Sequence, residues 1–535
     1  MGATAQEYPT VRKMKIPEGV ISLAQGALFA GLYALGMPGY GIPALPFFCW
    51  IPFFMLSHSA VDSRRAALRG FMAGTAANLL LFYWIAYTVA VPGKLGWPLG
   101  CVATFLSSAY MGLYFSAAGF FLFRLNRRFG ARGLLVFPMV WIGLEYARSV
   151  LFSGLPWVLY GYSLGGSPVL MQAADLAGVF GLGFLLSAAN VCLYLAGESI
   201  LRGERRLAVL HATGVVAVTV FLLAYGSYRV DEWGRRPSGG GIRVGIAQGG
   251  IDQSVKWDPA FQRRTLEIYE ALSREAKSMG AEVIVWPETA APFFYWWEAG
   301  LSREVERMAS ENGVPLIFGA PWFSPSEGGG YYNSVFILDS QGILGGRYDK
   351  RHLVPFGEYI PLKEVLFFVK KLTEGGEDFS AGTGPALFPV AGGQAGASIC
   401  YEAVFPGIIR DSVFAGAGWL VNVTNDSWFG DTVAPHQHLA MARMRAVEFR
   451  RPMARAANAG ISALIDERGE VIAGMGLFRS GVVVGEIFPG KGETLYAKTG
   501  EIFAISCTII TFFILCILLR GVDGLRTAGR KVRRA

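Results

Sequence analysis

The chain has 535 residues, 53% of them hydrophobic and only 16% charged, and its mean hydropathy is +0.39. That balance excludes a purely soluble globule. The net charge of +8 comes from short basic clusters rather than one patterned face, so no nucleic-acid partner is expected.

A run of ~18–20 apolar residues is enough to cross a bilayer core. From Ile16 to Tyr228 the chain is a series of such runs, and seven spans are expected at 17–36, 41–58, 71–91, 98–123, 133–152, 179–198 and 207–227. Pro43, Pro46 and Pro52 interrupt the second, and the glycines around Gly181 dilute the sixth. An eighth span is expected at 501–519. Basic residues alternate along the short loops. Arg12, Lys13 and Lys15 precede the first span; Arg64, Arg65 and Arg69 follow the second; Arg124, Arg127, Arg128 and Arg132 follow the fourth; Arg202, Arg205 and Arg206 follow the sixth. The intervening short loops hold only Lys94, and the tail carries Arg520, Arg526, Arg530, Lys531, Arg533 and Arg534. By the positive-inside rule both termini are cytoplasmic and the long polar segment lies outside. The first apolar run exceeds a signal-peptide h-region, and no A-x-A-like site precedes a polar start.

The expected organisation is a membrane domain at 1–228, a linker at 229–241 with the sequence Arg235-Arg236-Pro237-Ser238-Gly239-Gly240-Gly241, a polar domain at 242–490, the last span, and a basic tail at 520–535. No internal repeat is evident. Within the polar domain a strand is expected at 242–247, a helix at 259–279, a strand at 282–286, a helix at 302–311, a strand at 314–318 and a hairpin of 333–338 with 343–348. Further on come helices near 405–414 and 435–449, a strand at 419–423, and strands near 462–466, 471–472 and 482–487. Buried strands separated by helices indicate a layered α/β domain.

Cys400 is the only cysteine of that domain; Cys49, Cys101, Cys192, Cys507 and Cys516 all lie in apolar runs. It has no disulfide partner within the domain and stands at the end of the strand Gly396-Ala397-Ser398-Ile399, where a nucleophile belongs. A small buried core residue is the other reading. Two further polar side chains stand at strand ends. The apolar strand Val283-Ile284-Val285-Trp286-Pro287-Glu288 delivers a carboxylate, and Lys350 follows the hairpin. Ligands of α/β sheets gather beyond the carboxyl ends of strands, where Glu288, Lys350 and Cys400 would converge.

The set resembles the nitrilase superfamily, whose domain is an αββα sandwich with a glutamate–lysine–cysteine triad, over about 242–490. The stretches that carry the resemblance are Trp286-Pro287-Glu288-Thr289-Ala290, Lys350-Arg351-His352-Leu353-Val354-Pro355-Phe356-Gly357-Glu358-Tyr359, Ile399-Cys400-Tyr401-Glu402 and Thr424-Asn425-Asp426-Ser427-Trp428-Phe429-Gly430. With seven spans before it and one after, the chain is similar to the membrane-embedded branch, the apolipoprotein N-acyltransferases of the bacterial inner membrane. The fold implied is a polytopic α-helical membrane domain plus a periplasmic nitrilase-like α/β domain.

The resemblance implies an acyltransferase in which Cys400 takes a fatty acyl chain from a membrane phospholipid as a thioester. It then passes the chain to the α-amino group of the S-diacylglyceryl cysteine of an apolipoprotein, in a ping-pong sequence. Glu288 would be the general base and Lys350 the oxyanion partner, with the backbone N–H of Tyr401. A helix after Cys400 would favour the thiolate. Glu358 would hold Lys350, and Trp257, Asn333, Glu402 and Trp428 match further family positions. No cofactor is implied. The run Pro292-Phe293-Phe294-Tyr295-Trp296-Trp297 fits no strand or helix period, so Phe293, Phe294, Trp296 and Trp297 are candidates for a membrane-dipping lid. A second candidate is Val365-Leu366-Phe367-Phe368-Val369. Either segment reads equally as core.

Other chemistries are less well supplied. His436 and His438 are two apart and would not share a helix face as metal ligands, so no metal site is expected. A Cys–His pair using His352, His436 or His438 stays open. Gly328-Gly329-Gly330 lacks the Lys-Ser/Thr of a phosphate loop. A membrane-anchored amidohydrolase shares the triad but has no need of eight spans. A transporter would need facing ionisable residues in its spans, which offer little beyond Glu145, Arg148 and Glu198.

Overall fold

The computed structural model describes residues 17–234, 240–325, 329–361, 378–390 and 393–532. Each expected span contains helix: α1 (Glu18–Leu35), α2 (Ile51–His58), α3 (Ser63–Phe82), α4 (Trp84–Ala90), α5 (Trp97–Phe129), α6 (Phe137–Val150), α7 (Ala174–Leu201) and α8 (Arg205–Gly234). Five helical stretches among the described residues are long and apolar enough to cross a membrane, at 18–35, 97–153, 174–201, 205–232 and 502–520. The stretch 97–153 contains both α5 and α6, and α3 with α4 counts as a sixth if the bent pair is one span. The second expected span falls short. Its prolines lack N–H donors, and the segment breaks into a 3₁₀ turn at Leu45–Phe47 and the eight-residue α2. α3 begins before its apolar run because Asp62 caps it, accepting the Arg65 N–H at 2.8 Å. The run then bends by 56° between α3 and α4. α8 continues to Gly234, so the expected linker starts later than residue 229; its residues 235–239 lie outside the described residues.

The polar domain comprises β1 (Ile242–Gln248), α9 (Pro259–Ser278), β2 (Val283–Val285), α10 (Ala299–Asn312), β3 (Leu316–Ser324), β4 (Gly330–Leu338), β5 (Leu344–Asp349), β6 (Leu387–Val390), β7 (Gly393–Ile399), α11 (Pro406–Ala415), β8 (Trp419–Thr424), α12 (Ala434–Phe449), β9 (Met453–Ala457), β10 (Ser462–Ile465), β11 (Val471–Met475) and β12 (Gly481–Ile487). A short α13 (Leu495–Thr499) leads to α14 (Ile502–Val532). The strands form two six-stranded sheets, ordered β12-β1-β2-β3-β4-β5 and β6-β7-β8-β9-β10-β11. Read in those orders, both sheets have the same succession of pairings: one antiparallel, two parallel, two antiparallel. The domain thus repeats its topology, although the sequence carries no visible repeat.

Side-chain alternation explains the four layers. Val283 and Val285 of β2 face Ala397, Ile399, Val421 and Val423 of the other sheet, while Ile284 points outward to Leu266 and Tyr269 of α9. On the opposite outer face Leu420 and Met453 meet Ile409 of α11 and Ala442 of α12. The result is an αββα sandwich whose central strands are apolar on both faces. The membrane domain joins it through one continuous core in which Tyr401, Val404, Met441, Met444 and Val447 pack with Trp157, Tyr160 and Val179.

Candidate active site

Three loops leave their strands and turn toward one another. Glu288 lies three residues past β2, before Thr289 at φ +51°. β3 passes directly behind it: a Cβ on Gly319 would lie 2.5 Å from the Thr289 nitrogen and 2.8 Å from the Glu288 Cα, so only glycine leaves room for the Glu288 loop. Lys350 is the first residue after β5, its N–H donating to the Asn333 oxygen at 2.9 Å. Cys400 directly follows β7 at φ +50°, a left-handed conformation that an L-residue keeps only under restraint.

Asn333 of β4 ties the polar groups together. Its Nδ2 donates to Glu288 Oε1 at 2.8 Å and to Glu358 Oε1 at 2.9 Å. Lys350 Nζ lies 3.0 and 2.9 Å from the two Glu358 oxygens and 3.9 Å from Glu288 Oε1. Burial works against the Lys350 ammonium, but the Glu358 and Glu288 carboxylates outweigh it and hold its pKa above the ordinary lysine value. The lysine is a fixed cation. Glu358 also accepts the Val354 N–H at 2.8 Å, which closes the loop after β5 upon itself.

The Cys400 thiol differs from the expectation of a helix-assisted thiolate. Only a five-residue 3₁₀ turn, Cys400–Val404, follows it, and α11 begins at Pro406. Burial, with the nearby Glu288 charge, pushes the thiol up to about 12, against the Lys350 cation. At rest the Cys400 side chain is therefore the neutral thiol, and any nucleophilic use of it would need a base.

Glu288, Lys350 and Cys400 line one cavity of about 830 Å³. Trp257, Asn333, Glu358 and Trp428 line it too. One wall is membrane helix: Tyr87 and Thr88 of α4, with Val91 beyond it, border the same space. Thr88 Oγ1 donates to the Trp428 oxygen at 2.9 Å, and Tyr87 packs so closely on Gly430 that a Cβ there would lie 2.5 Å from the ring. The membrane domain and the Glu288, Lys350 and Cys400 loops thus share one chamber.

Tyr401 and Glu402 are anchors. Tyr401 OH donates to the Gly154 oxygen at 3.3 Å and its ring stacks on Trp157, fastening the Cys400 turn to the membrane domain. Glu402, fully buried, accepts the N–H groups of Arg351, His352 and Ile399 and the Tyr348 hydroxyl, so it clamps the Lys350 loop to β7. The aromatic segment splits. Phe293 and Tyr295 are buried in the α9–α10 core, which removes Phe293 from the lid candidates: its side chain turns inward beneath β3. Phe294 lines the cavity, while Trp296 and Trp297 are 60% and 54% exposed. The second lid candidate, 365–369, lies outside the described residues. The histidines offer no base to the thiol. His438 Nε2 is bonded to the Cys400 backbone oxygen, His352 stacks on Phe405, and His436 lines a separate pocket.

Sequence reasoning missed Lys256. It is 2% exposed, lines the cavity, and donates from Nζ to the Glu288 backbone oxygen at 3.0 Å. Burial pushes it down to about 8, against the pull of Glu288 and Cys400. The one signal available was its place beside Trp257. The grouping of Asn422, Asp426, His438 and Arg455 around the Cys400 carbonyl was also missed, since it assembles from β8, the turn after it, α12 and β9 only on folding.

Two family models match the chain, Carbon-nitrogen hydrolase over residues 243–494 and the Apolipoprotein N-acyltransferase N-terminal domain over residues 29–192. The chain is 40% identical to an apolipoprotein N-acyltransferase from Geobacter metallireducens over 484 residues, 89% of this chain and 91% of that one. It is 37% identical to one from Methylococcus capsulatus over 445 residues, 82% and 84% of the two chains. Among solved structures it is similar to a Nesterenkonia AN1 amidase of the nitrilase superfamily, at 18% identity and a TM-score of 0.38, over 50% of this chain and 96% of that one. With both halves matched and such identity along nearly the whole length, the chain belongs to the apolipoprotein N-acyltransferase family.

Proposed function

We propose that the protein transfers a fatty acyl chain from a membrane phospholipid to the α-amino group of the S-diacylglyceryl cysteine of an apolipoprotein, with Cys400 as the acyl carrier. The observation that carries this reading is the shared chamber: Glu288, Lys350 and Cys400 line a cavity whose other wall is the membrane helix α4. A lipid ester reaches such a site without leaving the bilayer.

In the first half-reaction the Cys400 sulfur attacks the ester carbonyl while Glu288 takes the thiol proton. The Lys350 ammonium, held by Glu358, and the Tyr401 N–H stabilise the oxyanion; removing one such donor typically costs about 10²–10³ in rate. Collapse of the tetrahedral intermediate breaks the C–O bond, and Glu288 returns its proton to the leaving lysophospholipid hydroxyl. In the second half the acceptor amine, with an ordinary pKa of ~7.7–8.0, attacks the thioester as the free base. Glu288 takes the amine proton as the C–S bond breaks, and the Cys400 thiol is regenerated. Phe294, Val91 and Trp428 give part of the cavity wall an apolar surface for the acyl chain, and a chain lying there would shield the thioester from water and favour aminolysis over hydrolysis.

The reading includes an orientation. Both termini lie in the cytoplasm and the catalytic domain in the periplasm, a placement that the alternating basic loops support. The test is mass spectrometry of the N-terminal peptide of a diacylglyceryl lipoprotein incubated in phospholipid vesicles with and without the protein. An added acyl mass on the amine is expected, and an unmodified amine with release of free fatty acid instead would overturn the reading in favour of a hydrolase.

A further inference from the structure

The carbonyl oxygen of Cys400 is held by two side chains that the acyl-transfer scheme does not use. His438 Nε2 lies 3.1 Å from it and Asn422 Nδ2 3.3 Å. A carbonyl oxygen only accepts, so Nε2 carries the hydrogen. Both donors are oriented by one arginine. Arg455 Nη1 donates to Asn422 Oδ1, and its Nη2 lies 2.7 Å from Asp426 Oδ2 and 3.0 Å from His438 Nδ1. Asp426 Oδ1 stands 3.0 Å from that same Nδ1 and accepts from Thr424 at 2.9 Å. Burial and the Arg455 charge push the His438 pKa down against the pull of Asp426, in keeping with a neutral ring that donates from Nε2 and accepts the Arg455 Nη2 hydrogen at Nδ1. Asn422, Asp426, His438 and Arg455 are all fully buried. Two buried side chains thus reach one backbone oxygen that β-sheet pairing alone leaves unserved, and two more buried groups hold them there.

Peptide geometry gives this convergence a consequence. No described peptide bond is cis, so the C=O of Cys400 and the N–H of Tyr401 point in opposite directions across one plane. Two donors on the oxygen hold that plane and therefore aim the N–H. The same bonds restrain the left-handed backbone of Cys400.

We propose that Asn422, Asp426, His438 and Arg455 form a positioning network that locks the Cys400–Tyr401 peptide with the Tyr401 N–H facing the oxyanion of the acyl-transfer intermediates. The proposal rests on the acyl-transfer reading of Cys400. His438 acts through the backbone and touches neither the thiol nor the substrate.

The test compares His438→Leu, which removes the donor, with His438→Gln, which keeps a side-chain N–H in reach of the oxygen. Two rates are measured on Cys400: acylation by phospholipid, which passes through an oxyanion, and alkylation by iodoacetamide, which does not. For His438→Leu we expect kcat of acylation to fall about 10²-fold with KM unchanged and alkylation within about threefold of wild type, and for His438→Gln recovery to within about tenfold. If His438→Leu fails to fold, Asn422→Asp, of equal size but with an acceptor in place of the donor, must show the same split. The infrared carbonyl stretch of the acyl enzyme must also rise in the variant that splits, because the thioester oxygen loses a donor. Equal loss of both rates, equal loss in the Leu and Gln variants, or no loss overturns the network's role. A wild type that carries no acyl group on Cys400 overturns the acyl-transfer reading itself and the proposal with it.

Discussion

Lys256→Met isolates the cost of burying a charge beside the proposed base. Lys256 is 2% exposed, and burial pushes its pKa down to about 8. In the unfolded chain a lysine titrates near ~10.4. Between these values the folded protein binds fewer protons than the unfolded one, so stability rises with pH through that window. Below about pH 8 the whole penalty is present, about 3 kcal/mol, and above about pH 10.5 it is gone. Methionine fills a similar volume and never titrates. The lost hydrogen bond to the Glu288 oxygen costs about 1–2 kcal/mol at every pH, which offsets the comparison without tilting it. The difference in unfolding free energy, variant minus wild type, should therefore fall by about 2–3 kcal/mol from roughly pH 7 to pH 10. Paired denaturant unfolding in one detergent, followed by tryptophan fluorescence, reads it. A difference that stays flat or grows with pH would refute the buried-cation account.

Gly319→Ala should displace the Glu288 loop, because the nearest atoms to the new Cβ are backbone; we expect destabilisation of about 1–3 kcal/mol and a disproportionate loss of Cys400 acylation, and wild-type values in both would contradict the packing. Phe293→Ala should cost about 3–5 kcal/mol of stability, whereas Trp296→Ser with Trp297→Ser should change it by about 0.5 kcal/mol or less. If the two tryptophans serve as a lid, that double variant loses transfer from bilayer phospholipid but not from a short soluble ester; equal loss on both donors removes them from lipid handling. An alkaline phosphatase fused after Gly241 should be active and one fused at Gly203 inactive, and the reverse would put Cys400 in the cytoplasm.

Much of the site was legible because the family chemistry sits at strand ends. A short apolar strand closed by Trp286-Pro287 can only deliver Glu288 beyond its carboxyl end, and the same holds for Lys350 after β5 and Cys400 after β7. What stayed hidden depends on contacts between distant segments. Lys256 looks like a solvated charge in a polar loop; it is buried only because the loop folds under the Glu288 carbonyl. His438 and Asp426 are twelve residues apart, but their meeting beside Cys400 is set by α12 packing on the Cys400–Val404 turn. Phe293 and Trp296 are three residues apart in one aromatic run, yet one is core and the other exposed, since an irregular loop has no period to assign its faces. In the membrane domain, apolarity marked the helices but not the bend after Phe82, because hydropathy is blind to direction. β6 and β9, unread in the sequence, are short; Pro389 interrupts the first and alanines around Arg455 fill the second, and both mask a strand pattern.

The central claim is that Cys400 carries the acyl chain. The direct measurement incubates the protein with a phospholipid labelled in its acyl chain, quenches in acid, and locates the label by mass spectrometry of the Cys400 peptide. The account predicts one acyl mass on Cys400, released by hydroxylamine, absent from Cys400→Ala, and passed to the amine when a diacylglyceryl-cysteine peptide is added. An unlabelled Cys400 in an active wild type, or a folded Cys400→Ala protein that still acylates the peptide, would contradict it.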